Sequence, residues 1–331
     1  MDRDWLRFGN TFCPYPFLHQ HIDTRKRKRL CCLSYHEIEK ESGFNTEIYK
    51  TIRQDMLDGK SIDACRFCYK KEAKKEISER QKCIKDMMHY DDLLTAQIND
   101  HKEGKDLRPY WYDLRFSNNC NLRCQMCYPT NSSSIAKELG MDQPYLSYEP
   151  DMDINPMAIR IYMSGGEPFM IKKFVDLLGN IENQKCEIIV NTNGTIVTDP
   201  MMAALSRFTD VCITLSLDGY ANLNEKIRIG SRWQDIDSNI DLFKSKGWSL
   251  HAQTVIQHDN VNELIPLADY IQSKGMSHWT LLELEGKESM KWHSREDIKI
   301  DNIKPLLSMP VVNKNVQTLR ILRRVLSHAV E

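Results

Sequence analysis

"SNNCNLRCQMCYPT", residues 117–130, places cysteines at 120, 124 and 127 in a C-x3-C-x2-C spacing. The run before it, "YWYDLRF", has the aromatic character of a strand, and the polar "PTNSSS" after it leads into a helix-like "IAKELG". The triad therefore belongs on a loop that follows a strand. A structural zinc site closes with four ligands, usually from two paired motifs, and no C-x2-C or H-x3-H partner follows nearby downstream. A redox pair of the C-x-x-C kind uses Cys124 and Cys127 and leaves Cys120 unexplained. Three thiolates suit a cubane 4Fe-4S cluster in which one iron is left open for another ligand.

The rest of the chain narrows the setting. Its 331 residues are 41% hydrophobic and 27% charged, enough for one large domain and a smaller module. Lys+Arg 45 against Asp+Glu 46 gives a formal net charge of -1, so no global field draws it to nucleic acid or an anionic membrane. The opening "MDRDWLRFGNTFCPYPF" lacks a signal-peptide apolar run, and no window approaches the ~20 apolar residues of a membrane span. The expectation is a cytoplasmic protein with its eleven cysteines reduced, so that clustered thiols read as metal or redox ligands.

Downstream, "IRIYMSGGEPFM", 159–170, is an apolar β-like run ending in Ser164, Gly165, Gly166, Glu167 and Pro168. In isolation Gly-Gly makes a tight turn before a helix. Three further β-like stretches also end in polar residues: "CEIIVNTNGT", 186–195, "VCITLSLDGY", 211–220, and "LHAQTVIQHDN", 250–260. Each reads singly as a strand with turn chemistry, because Asn-Gly and Asp-Gly are common turn signals. Together they put polar side chains at the carboxyl ends of successive strands, where βα barrels build their active sites.

These segments, in this order, resemble the radical S-adenosylmethionine (SAM) enzymes over roughly residues 108–290. The resemblance implies an α/β fold, a partial (βα)6-type barrel with Cys120, Cys124 and Cys127 holding a 4Fe-4S cluster after its first strand. It implies that the Gly165–Gly166–Glu167–Pro168 backbone and the Glu167 carboxylate meet the amino group of SAM, which suits a close-approach glycine pair and a carboxylate facing an ammonium. The same resemblance assigns Asn193, Ser216 and Asp218 to the SAM pocket, Val255 and Ile256 to the flanks of the adenine, and Arg228 to a carboxylate. Read from the residues alone, Arg228 is equally a solvated helix-surface side chain. Met126 departs from the aromatic residue common before the third cysteine, although a thioether also packs on a purine. The resemblance further implies a low-potential electron donor such as flavodoxin or ferredoxin.

Residues 1–75 form a second, cysteine-rich region. Cys13, the adjacent Cys31 and Cys32, and Cys65 and Cys68 in "CRFC" give four cysteine stations, similar to a SPASM or twitch module that here precedes the barrel. The resemblance implies an auxiliary 4Fe-4S cluster on Cys13, Cys31, Cys65 and Cys68, with Cys32 the alternative to Cys31. Zinc is equally good chemistry for a four-cysteine site. His19 and His21 read as satisfied structural histidines, and "RKRKR", 25–29, as a solvated hairpin tip.

The charged, proline-free stretch over 76–107 predicts one connecting helix ending near Gly104, with Cys83 an ordinary small core residue, like Cys186 and Cys212. Residues 291–331 predict terminal helices. The functional expectation is a radical SAM enzyme modifying a peptide or protein, the chemistry common where such a barrel adjoins an auxiliary cluster. A small-molecule substrate (a sugar, nucleotide or cofactor precursor) and a non-catalytic iron-sulfur or zinc protein are the alternatives.

Overall fold

The computed structural model describes residues 9–34, 43–148, 154–284 and 286–329. Residues 1–8 of the N-terminal region and the last two of the C-terminal extension lie outside them. In chain order the strands are β1 His19–Ile22, β2 Lys28–Arg29, β3 Trp111–Leu114, β4 Arg123–Cys124, β5 Arg160–Met163, β6 Glu187–Thr192, β7 Asp210–Ser216, β8 Arg228–Ile229, β9 Ser249–Ile256 and β10 His278–Glu283. The helices are α1 Tyr15–Leu18, α2 Glu47–Leu57, α3 Arg66–Ala73, α4 Glu79–Met87, α5 Asp91–Lys102, α6 Ser133–Glu138, α7 Lys172–Gly179, α8 Asp199–Leu205, α9 Asn222–Ile227, α10 Trp233–Ser245, α11 Leu264–Ser273, α12 Pro310–Asn313 and α13 Val316–His328. Apart from the two-residue β4 and β8, the six strands β3, β5, β6, β7, β9 and β10 alternate with helices in an α/β order, as a partial radical SAM barrel requires.

The chain divides into two units. The first comprises residues 1–116, 148–162 and 180–186. Its hairpin β1–β2 is antiparallel, and β1 also runs parallel to β3, with His19 opposite Trp111 and Ile22 opposite Leu114. The cysteine-rich region thus shares a sheet with the strand that leads into the three-cysteine loop. All four β1 residues are buried, including His19 and His21. The His19 ring Nδ1 meets the Leu30 carbonyl at 3.1 Å, and His21 Nδ1 stands 2.8 Å from Asp113. His19 is thereby satisfied, and His21 has a carboxylate within ion-pair distance. At the hairpin tip Asp23 gathers the basic run, with Arg27 at 2.6 Å and Arg29 at 3.7 Å. Buried Arg53 on α2 donates to the carbonyls of Pro16 (2.7 Å) and Phe44 (2.6 Å), so a charged side chain stitches apolar surroundings together.

In place of one connecting helix there are two. Ser78 and Gln81 form a reciprocal capping box that starts α4. The chain turns at Met88–Tyr90, and α5 begins anew with Asp91 and Asp92 in its first turn, where carboxylates favour the positive end of the helix dipole. Gly104, in left-handed backbone, follows the end of α5.

The second unit comprises residues 117–147, 163–179 and 187–331. β6, β7, β9 and β10 lie side by side in that order, every neighbouring pair parallel. Their alternate residues, such as Ile188, Val190, Ile213, Leu215, Leu250 and Ala252, enter the core. Because these strands are parallel, their carboxyl ends bring Asn193, Ser216–Asp218 and Val255–Gln257 to one edge. Within the terminal helices expected over 291–331, much of 294–310 is instead a series of short 3-10 turns, before α12 and the Asn315-capped α13.

Candidate functional site

The three-cysteine loop is built by backbone hydrogen bonds on two sides. β4, which contains Cys124, pairs antiparallel with β8, and the Gln125 amide donates to the Ile227 carbonyl at 3.0 Å. The amide of Cys127 closes a turn onto the Cys124 carbonyl at 3.0 Å. On the other side, Gly166 donates to the Ser117 carbonyl at 2.8 Å and Glu167 to the Asn119 carbonyl at 2.7 Å. A Cβ on Gly166 would overlap the backbone of Asn118 and Asn119, so only glycine permits this approach.

Glu167 joins that loop to the end of β6. Its carboxylate accepts from the Thr192 hydroxyl at 2.7 Å and from the amides of Asn193 (2.8 Å) and Phe169 (3.2 Å). Burial nevertheless pushes its carboxyl up to about 7. Asn193 in turn donates to Asn121 at 3.0 Å, and Asn121 donates to the Thr195 hydroxyl at 2.9 Å.

A second network rests on Asp218. Its Oδ2 stands 2.7 Å from the Arg228 guanidinium, and its Oδ1 accepts from the Val255 amide at 2.7 Å. Arg228 is buried, and its Nη1 lies 3.8 Å from the Cys124 sulfur. Burial pulls against its charge, but Asp218 and the thiols of Cys124 and Cys127 hold its pKa above the usual range. The structure therefore brings Cys124, Asp218, Arg228 and Val255 together, and through the glycine pair joins Cys120 and its neighbours to Glu167 and Asn193. Ser216 stands apart, its hydroxyl 3.3 Å from Asn191. Ile256 is sealed in the core, whereas Val255 is half-buried.

The donor set fits an iron-sulfur cluster. Burial pushes Cys120 up to about 12 and Cys124 to about 11, so the thiols favour their protons until a cationic metal core offsets the desolvation. Arg228 is already placed to balance thiolate charge. At the same strand edge, both polar atoms of the buried Gln257 side chain have no hydrogen-bond partner, the condition that a polar ligand relieves.

The first unit gathers its own thiols. Cys13 and Cys83 are neighbours in a buried apolar cluster, with Cys31 and Cys65 packed against it. Cys13 also lies close enough to Cys68 to bear on its ionisation. Of the adjacent pair, Cys31 faces Cys13 and Cys65, while Cys32 is exposed and has Asp113 and Arg115 as charged neighbours. Arg80 anchors the arrangement: it pairs with Glu72 at 2.5 Å and donates to the Phe12 carbonyl at 2.9 Å, which sets Cys83, three residues on along α4, beside Cys13. Nothing in the sequence singles out Cys83, because its partner lies 70 positions away. Among the described residues no three His, Cys, Asp or Glu side chains converge as the ligands of a single ion do. A cubane distributes its thiolates over separate irons.

Residues 114–271 match the Radical SAM superfamily. The tungsten-containing aldehyde ferredoxin oxidoreductase cofactor-modifying protein of Pyrococcus furiosus is 24% identical over 172 residues, covering 49% of this chain and 48% of that one. The sporulation killing factor maturation protein SkfB of Bacillus subtilis is 29% identical over 115 residues, covering 35% and 28%. Among solved structures, Streptococcus suis SuiB bound to precursor peptide SuiA aligns with a TM-score of 0.45 at 15% identity, over 92% of this chain and 71% of that one. The chain spans about half the length, or less, of these two sequence relatives.

Proposed function

Residues 114–271 are a Radical SAM domain, and from that premise we propose that the chain cleaves SAM reductively at a 4Fe-4S cluster held by Cys120, Cys124 and Cys127, and uses the product radical to modify a peptide or protein. The observation that carries this reading is the joining of the three-cysteine loop to Gly166 and Glu167 by backbone hydrogen bonds, with Arg228 beside Cys124. When bound, the reduced cluster supplies the electron that splits SAM into methionine and a 5'-deoxyadenosyl radical, which takes hydrogen from substrate.

The protein's own part is orientation. The three thiols hold the cluster and leave one iron for SAM. Gly165 and Gly166 admit the ligand close to the backbone, Glu167 fixes the Asn193 backbone at the β6 end, and Asp218 holds Arg228 where its guanidinium balances negative charge. Val255 offers an apolar flank to the adenine, and Ser216 lies at the pocket's rim. Gln257 adds an amide with both hydrogen-bonding atoms available. The single electron comes from a low-potential donor of the flavodoxin or ferredoxin kind.

Cys13, Cys31, Cys65 and Cys68 hold an auxiliary 4Fe-4S cluster in this reading, with Cys31 and Cys65 packed against the apolar cluster that contains Cys13; zinc is the alternative for the same four thiols. A peptide substrate is favoured by the likeness to SkfB, a maturation protein by name. A small molecule is the second reading, favoured by the cofactor-modifying relative from Pyrococcus furiosus.

The test is anaerobic reconstitution with iron and sulfide, followed by iron quantification, EPR with and without SAM, and assay of 5'-deoxyadenosine after reduction. About eight irons, as two cubanes require, with a SAM-perturbed signal and 5'-deoxyadenosine is the expected result. Well-loaded clusters indifferent to SAM would overturn the enzyme reading.

A further inference from the structure

Gly286 and Lys287 follow β10, and both take left-handed backbone, with φ of 66° and 48°. The conformation is free for glycine and strained for a lysine, so it persists only where the surroundings impose it. Here the surroundings are the three-cysteine loop. The Lys287 ammonium donates to the backbone carbonyls of Gln125 and, at 2.9 Å, of Cys127. It also lies 5.1 Å from the centre of the Tyr128 ring. The Tyr128 hydroxyl, at the tip of the side chain that follows the third cysteine, lies against Gly286. The segment is anchored in turn, since the Met290 amide donates to the Lys287 carbonyl at 2.9 Å and the Met290 carbonyl accepts from His258 at 2.8 Å.

The geometry points to Lys287 as a positioning residue of the three-cysteine loop, a clasp that fixes the turn between Cys124 and Cys127 and sets a permanent cation beside the ligands. Pairing of β4 with β8 and the Ile227 carbonyl at the end of α9 secure one side of the loop, and Lys287 takes the carbonyls of Gln125 and Cys127. Two charge-assisted hydrogen bonds are enough to hold a short turn in one conformation. A fixed positive charge favours the more negative, reduced state of a cluster, because each added electron is attracted to it. Lys287 lies beyond the family match, which ends at residue 271.

The electrostatic half of this inference rests on the proposed cluster; the mechanical half does not. The experiment compares the full chain with Lys287→Met, which keeps the apolar stem, and Lys287→Arg, which keeps the charge. In metal-free protein, hydrogen exchange of the peptide spanning 120–128 is expected to quicken at least about tenfold in Lys287→Met, which loses both charge-assisted hydrogen bonds, and to stay near the parent rate in Lys287→Arg. In reconstituted protein, Lys287→Met is expected to release iron to a chelator faster and to show a more negative EPR midpoint potential. Parent-like exchange, iron release and potential in Lys287→Met would overturn the inference. Failure of the parent chain to load iron at the triad would overturn the proposed function instead, and exchange would still decide the clasp. Should Lys287→Met not fold, Lys287→Gln gives the same reading.

Discussion

In the three-cysteine loop the sulfurs meet cations; in the N-terminal unit they meet one another. Cys124 has the Arg228 guanidinium at 3.8 Å, and the Cys127 carbonyl holds the Lys287 ammonium. Cys13 has the Cys83 thiol as its neighbour, and its pKa rises well above the usual range through burial and that neighbour. The first environment suits a site that exchanges electrons and a ligand, because charge can be balanced as it changes. The second suits a site closed by its own thiols, where metal occupancy removes a buried set of protons and the cost of desolvation is met once.

The sharpest way to break this comparison is to empty one site and watch the other. Cys124→Ala should reduce 5'-deoxyadenosine formation to background while the N-terminal unit keeps its share of iron, about four of about eight. Normal cleavage in that variant would sink the assignment of the open site. The reciprocal change, Cys65→Ala with Cys68→Ala, should halve the iron and leave the SAM-perturbed EPR signal in place; unchanged iron with a stoichiometric zinc signal would make the N-terminal site a zinc site. Arg228→Met tests the cation directly. It strands the buried Asp218 carboxylate, and the expected loss is about 3–5 kcal/mol in denaturant unfolding of the metal-free protein. A loss below about 1 kcal/mol would mean the pair is no more than a surface ion pair in effect.

The two regions should also respond to pH in opposite directions. Glu167 has a folded pKa raised to about 7 by burial, so the folded state holds a proton that the unfolded state has released. Its contribution to stability is full below the ordinary carboxylate range and is lost as pH rises toward 7. His19, buried and lowered to about 4, does the reverse: the unfolded state takes up a proton first, and stability falls as pH drops from about 6.5 to 4. Each amounts to about 3 kcal/mol at most, and Glu167→Gln should flatten the first slope without touching the second. A first slope that survives Glu167→Gln would assign that proton elsewhere. The smallest effect is expected of Cys32→Ser, which should leave iron content unchanged where Cys31→Ser lowers it. Equal losses in both would show that the exposed sulfur is a ligand too.

The parts of this architecture that the sequence announces are those set by local chemistry. C-x3-C-x2-C, Gly165–Gly166 and the Asn-Gly and Asp-Gly strand ends each require their residues at their own positions, and they are recognisable for that reason. The parts that stay silent depend on distant partners. The pairing of β1 with β3 joins residues about ninety apart in the chain, and a fully buried strand carrying His19 and His21 has no alternation to betray it. The break between α4 and α5 lies in a stretch whose helical spacing continues across it, and only the two acidic residues at 91 and 92 mark the restart. Arg228 is indistinguishable in sequence from a surface arginine until Asp218 is seen beneath it. Lys287 is one lysine among many, and its left-handed backbone is invisible in a sequence that offers no glycine there.

The approach of Gly166 to Asn119 has a practical corollary for protein engineering. Two backbone segments that touch with no room for a methyl group between them cannot be exchanged separately, because the neighbour has no flexible side chain to yield. A three-cysteine loop transplanted into another scaffold would need the Gly165–Glu167 turn as part of the same insert, so the smallest portable version of this site is discontinuous in sequence.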